Sequence, residues 1–332
     1  MAIKVRRGAI ADLDTSQLKA GEWVLGTDTI NNVGIAKAPS DVVWLATKDD
    51  VATAKSKLDP SVSSGVLTFR KPSWKQLVDA PLNGWEGAAI VYNNRIHVFG
   101  DQTKHYSFDG KTWQKEADLP IKTSYPITVV YNGEIHIIDN RSGSIGHYSW
   151  DGSNWTQRAT PSTILLGINN GCLYDGKLTV VSSRYGYASM FRSILQYTDS
   201  GGWVNASSTG DPARLFLSCC VYDGLVHYAG GTDKRKRFTW DGTNGGNVQL
   251  SDMPYDFYEG IMLTHGGKIH FIGSDSVSTS KKHATWDGEK FEILDDLLYP
   301  CGKCPAVSYN GKIYIFGSSA YQSRHKNVFV YG

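Results

Sequence analysis

A hairpin pattern that occurs six times constrains the fold more than any other feature of the sequence. Each copy is an apolar stretch, a turn dipeptide of Asn, Asp and Gly, and a second stretch that alternates apolar and polar residues. Such dipeptides tolerate the positive φ angles of a two-residue turn, so each copy predicts two antiparallel strands. The copies are residues 88–100, 127–139, 171–182, 219–230, 261–273 and 306–317. Successive turns lie 39 to 48 residues apart, a period typical of a four-stranded propeller blade.

A second hairpin follows most copies. Its turn is usually Asp-Gly, and an aromatic residue marks its last strand at Trp113, Trp155, Trp203 and Phe291. Four strands in each of six repeats predict an all-β, six-bladed propeller over residues 66–332.

The last repeat lacks its fourth strand, because the sequence after Gly311 ends at Gly332. Residues 72–81 supply a match to residues 112–120, since Trp74 precedes Pro81 by the same seven residues that separate Trp113 from Pro120. We therefore expect the Trp74 strand to complete blade six and close the ring, which removes the exposed sheet edges.

The spacing of Tyr and Trp within the repeats carries a family resemblance. Tyr106–Trp113 and Tyr148–Trp155 are similar to the Tyr and Trp pair of Kelch repeats, and the Kelch double glycine is present once, at Gly230-Gly231. Over about residues 66–332 the chain resembles Kelch-type β-propellers, which implies a Kelch-like fold.

Residues 1–48 contain no copy of the repeat and predict a small β-module. A short helix is expected within residues 49–58, where a narrow apolar stripe packs either on the same chain or in a self-associating bundle. Residues 61–65 predict a flexible linker. The expected division is thus 1–48, 49–65 and 66–332. The strands of the module are predicted at residues 3–6, 22–25, 32–36 and 41–45.

Short motifs in the module carry a second resemblance. Lys4–Gly8, Ala11–Leu13, Leu18–Glu22 and Gly26–Thr29 are similar to the attachment module of bacteriophage tail fibres and receptor-binding proteins, although Ala36–Pro39 replaces that family's Gly-rich turn. The resemblance implies a homotrimer that binds a phage baseplate or tail-tip protein. The alternative is a small β-domain whose two arginines form surface salt bridges. The tail-attachment residues that it implies are Arg6, Arg7, Gly21, Glu22 and Asp28.

The amino-acid composition limits the classes of partner that the protein can bind and the compartment in which it is made. The net charge of +2 is too balanced for a nucleic-acid coat or a polybasic membrane anchor, and no apolar run is long enough for a transmembrane helix. The N-terminal residues lack the apolar core of a signal peptide, and five cysteines do not form a disulfide framework. We therefore expect synthesis in the host cytoplasm and, from the resemblance, a place in the virion tail.

No motif predicts catalysis, a metal or a cofactor. The sequence has no GxSxG, HExxH or Walker A pattern. Cys301–Cys304 is its only CxxC motif, and a structural zinc site needs four ligands, usually from two such motifs. The pair Asp256 and Glu259 and the pair Asp295 and Asp296 cannot be placed across a cleft from sequence, so a glycosidase remains an alternative.

Loop lengths indicate which face recognises a ligand. The hairpin turns are uniformly tight, whereas the other connections vary in length and emerge together on the opposite face. Aromatic rings stack on sugars and Arg side chains bind anions, which favours a bacterial cell-surface glycan as partner. The alternatives are a polysaccharide-cleaving tail enzyme and a Kelch adaptor that binds proteins. The candidate ligand-binding residues are Arg184, Tyr185, Tyr187, Lys234, Arg235, Tyr321, Arg324 and His325.

Overall fold

The computed structural model divides into two compact units, residues 1–73 with Gly332, and residues 74–331. The structure describes the backbone of residues 5–8, 23–26, 33–38, 41–45, 61–63, 66–68, 72–84, 86–124, 126–139, 146–161, 165–166, 171–185, 190–212, 217–230, 234–273, 280–318 and 325–332. Within these ranges, side chains are described from residue 72 onward, except those of residues 165–166, 183–185, 190–192 and 208–212.

The first unit contains a four-stranded sheet and a short hairpin. The sheet has the order β1 (Val5–Gly8), β2 (Trp23–Gly26), β3 (Val33–Ala38) and β4 (Asp41–Leu45), and its first two strands are parallel. These strands confirm the four that the sequence predicts. The hairpin pairs β5 (Ser61–Ser63) with β6 (Val66–Thr68) where the sequence led us to expect a linker.

Several predictions for this unit fall outside the described residues. They are the helix within residues 49–58 and the tail-attachment residues Gly21, Glu22 and Asp28. Arg6 and Arg7 lie in β1. No helix among the described residues has the length and apolar composition needed to cross a membrane.

Six antiparallel sheets form the second unit, and each has an inner, second, third and outer strand. Blade one comprises β8 (Ala88–Tyr92), β9 (Arg95–Gly100), β10 (Lys104–Phe108) and β11 (Trp113–Lys115). Blade two comprises β12 (Ile127–Tyr131), β13 (Glu134–Asp139), β14 (Gly146–Trp150) and β15 (Trp155–Gln157). Blade three comprises β17 (Gly171–Tyr174), β18 (Lys177–Tyr185), β19 (Met190–Thr198) and β20 (Gly202–Pro212), with β16 (Leu165–Leu166) beside β18. Blade four comprises β21 (Leu217–Tyr222), β22 (Leu225–Gly230), β23 (Arg237–Trp240) and β24 (Asn247–Gln249). Blade five comprises β25 (Ile261–His265), β26 (Lys268–Ile272), β27 (His283–Trp286) and β28 (Phe291–Ile293). Blade six comprises β29 (Ala306–Tyr309), β30 (Lys312–Phe316) and β31 (Val328–Tyr331), with β7 (Trp74–Gln76) as its outer strand.

The ring closes as the sequence predicts. The outer strand of blade six is β7, which pairs with β31 in a register that sets Trp74 opposite Tyr331. The Trp74 indole is buried, packs on the Tyr331 ring and donates its Nε1–H to Nδ1 of His283 in blade five, at 3.3 Å. An early strand and the last strand thus complete one sheet, so no blade is left with an open edge at the joint.

Tyrosines at the ends of inner strands join neighbouring blades. The Tyr92 hydroxyl donates to the carbonyl of Asp151 in the next blade at 3.1 Å, and Tyr222 donates to Asp287 at 2.9 Å. The Tyr131 hydroxyl accepts from the backbone N–H of Asp199 at 3.3 Å. Each bond links the end of an inner strand to the tight turn of the following blade, and the apolar core lies in clusters between the sheets.

The two faces of the propeller differ in their connections. Both hairpin turns of a blade emerge on one face, here called the tight-turn face, and the other connections emerge on the variable-loop face. Residues such as Asn93, Asn132 and Asn310 in the first turns have φ of 45–48°, as tight two-residue turns require.

Blade three corrects one expectation. Arg184 and Tyr185 were expected in a loop, but β18 continues through both, with Tyr185 paired to Met190 and Arg184 paired to Leu165 and Phe191. The run Lys177–Tyr185 is rich in β-branched and hydroxyl residues, so it extends the hairpin instead of ending it.

Candidate functional site

A cavity of about 510 Å³ runs along the axis of the propeller between the inner strands of all six blades. Its wall is formed mainly by uncharged residues, for example Ala89, Val129, Cys172 and Leu263. Inner strands run from the variable-loop face to the tight-turn face, so the residues that precede them stand at the mouth of the cavity on the variable-loop face.

Three charged residues occupy equivalent places at this mouth. Glu86, Glu259 and Lys303 each stand two residues before the inner-strand position that lies opposite the residue preceding Gly100, Gly273 and Gly317, respectively. All three have left-handed backbones, with φ of 61°, 57° and 60°. Non-glycine residues rarely adopt this conformation, and it clusters at functional sites. We call Glu86, Glu259 and Lys303 the mouth triad.

The triad is held together by both backbone and side chains. The N–H of Glu86 donates to the carbonyl of Lys303, and the N–H of Lys303 donates to the carbonyl of Glu259, each at 2.9 Å. The Lys303 ammonium lies 3.6 Å from Oε1 of Glu86 and 3.3 Å from Oε1 of Glu259. Exposure differs along the arc, since the side chain of Glu259 is 3% exposed and that of Glu86 is 28% exposed. Blades five, six and one therefore place a carboxylate, an ammonium and a second carboxylate side by side.

Lys234 and Arg235 both hold a connection on the variable-loop face. The Arg235 guanidinium donates from Nε and Nη2 to the carbonyl of Met253, at 3.0 and 2.9 Å. Lys234 forms an ion pair with Asp256 at 3.5 Å, and its carbonyl accepts from the N–H of Phe257. These contacts fasten the second-to-third connection of blade four to the segment that leads into blade five.

The other predicted ligand-binding residues are distributed differently. His325 is buried, its Nδ1 lies 3.5 Å from Nδ2 of Asn83, and its carbonyl accepts from the N–H of Gly84. Tyr187, Tyr321 and Arg324 lie outside the described residues, as do the side chains of Arg184 and Tyr185. A ligand-binding role for this set stays a prediction.

The mouth triad is the part of the site that was not predicted from the sequence. In the sequence Glu259 is a candidate only as a partner of Asp256, whereas in the structure the two carboxylates pair with different lysines. A signal was present in the sequence, because Glu86-Gly87 and Glu259-Gly260 repeat the same dipeptide at the same distance before an inner strand.

Buried histidine pairs occupy the interiors of blades one, two and five. The rings are joined Nδ1 to Nε2 at 2.9 Å in each pair, and the second ring of two pairs also contacts a backbone carbonyl. No group of three or more His, Cys, Asp or Glu among the described residues could hold a metal ion. The pairs are His97 with His105, His136 with His147, and His270 with His283.

The cysteines are all within the described residues, and none forms a disulfide. Cys301 and Cys304 are buried, and the Cys304 thiol contacts the carbonyl of Gly302. Burial raises the pKa of the Cys220 thiol to about 12, so this thiol remains protonated and unreactive at neutral pH.

Comparison with known proteins places the fold. No curated protein matches the chain. The solved structure of YjhT is similar, with a TM-score of 0.64 and 14% sequence identity over 76% of this chain and 95% of that one. This likeness shows the propeller fold alone. Residues 72–330, well over half of the chain, match the model of the DUF6242 beta propeller domain, and the chain therefore belongs to the DUF6242 beta propeller family.

Proposed function

We propose that this protein is a receptor-binding or fibre protein of a phage tail, whose propeller attaches to a glycan on the bacterial surface. The observation that carries the proposal is the mouth triad at the opening of the axial cavity. A rigid ring that presents charged hydrogen-bonding groups around a concave opening has the form of a ligand site.

The N-terminal unit supports the attachment role. Its sheet carries Arg6 and Arg7 on β1, within the motif that resembles tail-attachment modules. A separate unit ahead of a binding propeller suits a fibre that is anchored at one end and binds with the other. On this proposal the protein is a homotrimer fixed to a baseplate or tail-tip protein.

Adsorption to isolated cell walls from a panel of bacteria tests the glycan role. Tyr185→Ala, Tyr321→Ala and Arg324→Ala are expected to weaken adsorption tenfold or more, because each removes a stacking ring or an Arg contact worth about 1–3 kcal/mol. Lys111→Ala, in an exposed turn of the tight-turn face, is the control. Adsorption that is unchanged in all three variants would contradict a binding rim.

Light scattering tests the assembly. The proposal expects a trimer while residues 1–60 are present and a smaller species when they are removed. A full-length protein that stays monomeric at micromolar concentration contradicts the trimeric attachment unit, whatever the propeller binds.

A polysaccharide-cleaving function is the second candidate, and one geometric feature favours it. Oε1 of Glu86 and Oε1 of Glu259 both lie within 3.6 Å of the Lys303 ammonium, so they are at most about 7 Å apart, a limit that is compatible with the separation of roughly 5–5.5 Å in retaining glycosidases. Incubation with cell-wall polysaccharide separates the two functions, because an enzyme releases new reducing ends and a binding protein does not.

A further inference from the structure

We infer that the mouth triad binds the uncharged terminal sugar of a glycan chain and discriminates against acidic termini. The inference rests on the proposed glycan-binding function and adds the chemical class of the ligand and the residues that select it.

The charge of the site excludes anions. Two carboxylates and one ammonium give the triad a net charge of −1, and among the described residues that line the cavity only Glu259 and Lys303 are charged. A uronic acid or phosphate at the mouth meets two like charges for each opposite one. Burial increases the cost of that repulsion, since Glu259 is almost fully enclosed.

The chemistry of the triad matches hydroxyl groups. Along the arc the side chains alternate as acceptor, donor and acceptor. A sugar hydroxyl both donates and accepts, so neighbouring hydroxyls can donate to the Glu86 carboxylate and accept from the Lys303 ammonium. Hydrogen bonds to charged groups are stronger than bonds between neutral ones, which gives a small neutral ligand enough contact energy.

The position of the cavity selects a chain end. It lies along the axis, is enclosed by all six inner strands and, at about 510 Å³, is of the size that takes small ligands. A chain end can enter such a cavity lengthwise, whereas the middle of a polymer can only lie across the face.

The backbone holds the triad ready for a ligand. The left-handed conformations of Glu86 and Lys303 are fixed by the hydrogen bonds that their backbone N–H groups donate to the preceding blade of the ring. Gly87 follows Glu86 at a point where a Cβ would collide with the carbonyl oxygen of Phe99. Because these positions are set before binding, a ligand does not have to order them.

The experiment uses the full-length protein and an immobilised panel of glycan pairs. Members of a pair differ only at C6 of the terminal hexose, which is a CH₂OH group in one and a carboxylate in the other. We expect the parent to bind one or more neutral members at least tenfold more tightly than their acidic partners. In Glu86→Gln, which keeps the size and one oxygen, this ratio is expected to fall by roughly tenfold. Glu289→Gln, in an exposed turn of the tight-turn face, is expected to keep the parent ratio.

The outcomes separate the inference from the function it rests on. A parent that binds acidic ends as well as neutral ones, or a Glu86→Gln variant with the parent's ratio, overturns the inference and leaves glycan binding in place. If Glu86→Gln lowers the melting temperature and leaves the binding ratio unchanged, the triad serves ring closure, and this result also overturns the inference. A parent that binds no glycan, on the panel or on cell walls, refutes both.

Discussion

Acidification below neutral pH is expected to unfold the propeller through its buried histidines. Seven of them are at most 5% exposed, and burial lowers their pKa values from 6.5 to about 4 or below. Nearby cations act in the same direction, as Arg95 does on His97 and Arg237 on His227. The seven are His97, His105, His136, His147, His227, His270 and His283.

The direction follows from where protons bind. Between about pH 6.5 and pH 4 these histidines are protonated in the unfolded chain and neutral in the folded one, so the free energy of unfolding decreases as the pH falls. Each fully shifted histidine contributes about 1.4 kcal/mol per pH unit in this window. Between pH 6.5 and 5.5 the seven together remove roughly 7 kcal/mol. That loss is comparable with the whole stability of a typical domain, about 5–15 kcal/mol.

Urea denaturation followed by tryptophan fluorescence at several values between pH 7.5 and 5.5 measures this loss. A matched variant, His97→Tyr with His105→Val, gives blade one the residues that blade six has at the same places, Tyr314 and Val328. Between pH 6.5 and 5.5 its unfolding free energy should fall by about 2 kcal/mol less than that of the parent. A parent whose unfolding free energy changes by less than about 2 kcal/mol over the range, or a variant with the parent's slope, would refute the reasoning.

Three further predictions concern stability and are measured by urea denaturation at neutral pH. Trp74→Ala should cost about 3–5 kcal/mol because it empties the buried site at ring closure, while Lys75→Ala on the same strand should stay within about 0.5 kcal/mol; similar losses would contradict the closure role. Tyr222→Phe should cost about 1 kcal/mol by removing the bond to Asp287 in the next blade, and an unchanged midpoint would exclude that contribution. Gly273→Ala should destabilise more than Gly176→Ala, since both have positive φ but only at Gly273 would the new Cβ collide with the Cys301 carbonyl; equal effects would contradict this.

The blades could be predicted from the sequence because their signals are local. Asn-Gly and Asp-Gly turns between alternating stretches define a hairpin within about a dozen residues, and six copies at one period define the ring. Even the long-range pairing of Trp74 with Tyr331 could be predicted, since the first repeat supplied a template for the missing strand. The error at Arg184 and Tyr185 has the same origin, because the template set a strand length that blade three exceeds.

The site could not be predicted in the same way because its parts are distant in the sequence. Lys303 is 217 residues from Glu86, and no local pattern shows that their side chains meet. Their contact follows from ring closure and from the register of two blades, both of which become known only when the strands are paired. The contact of the Arg235 guanidinium with the carbonyl of Met253 likewise joins parts of the chain that no local pattern connects, and the ligand-binding role of Arg235 stays a prediction.

Symmetry explains why the mouth triad is more informative than any single residue within it. Six equivalent positions surround the axis, and the sequence places Glu86, Glu259 and Lys303 at three of them. The residues that stand at the same spacing before the other inner strands in the sequence are Tyr125, Ile168 and Phe216, which are uncharged types and lie outside the described residues. Among the described residues at these positions, the charge lies at blades five, six and one. A ligand that needs this charge must bind off the axis towards blades five, six and one. Substitutions of the residues that precede the inner strands of these blades should therefore affect binding more than equivalent substitutions in blades two to four.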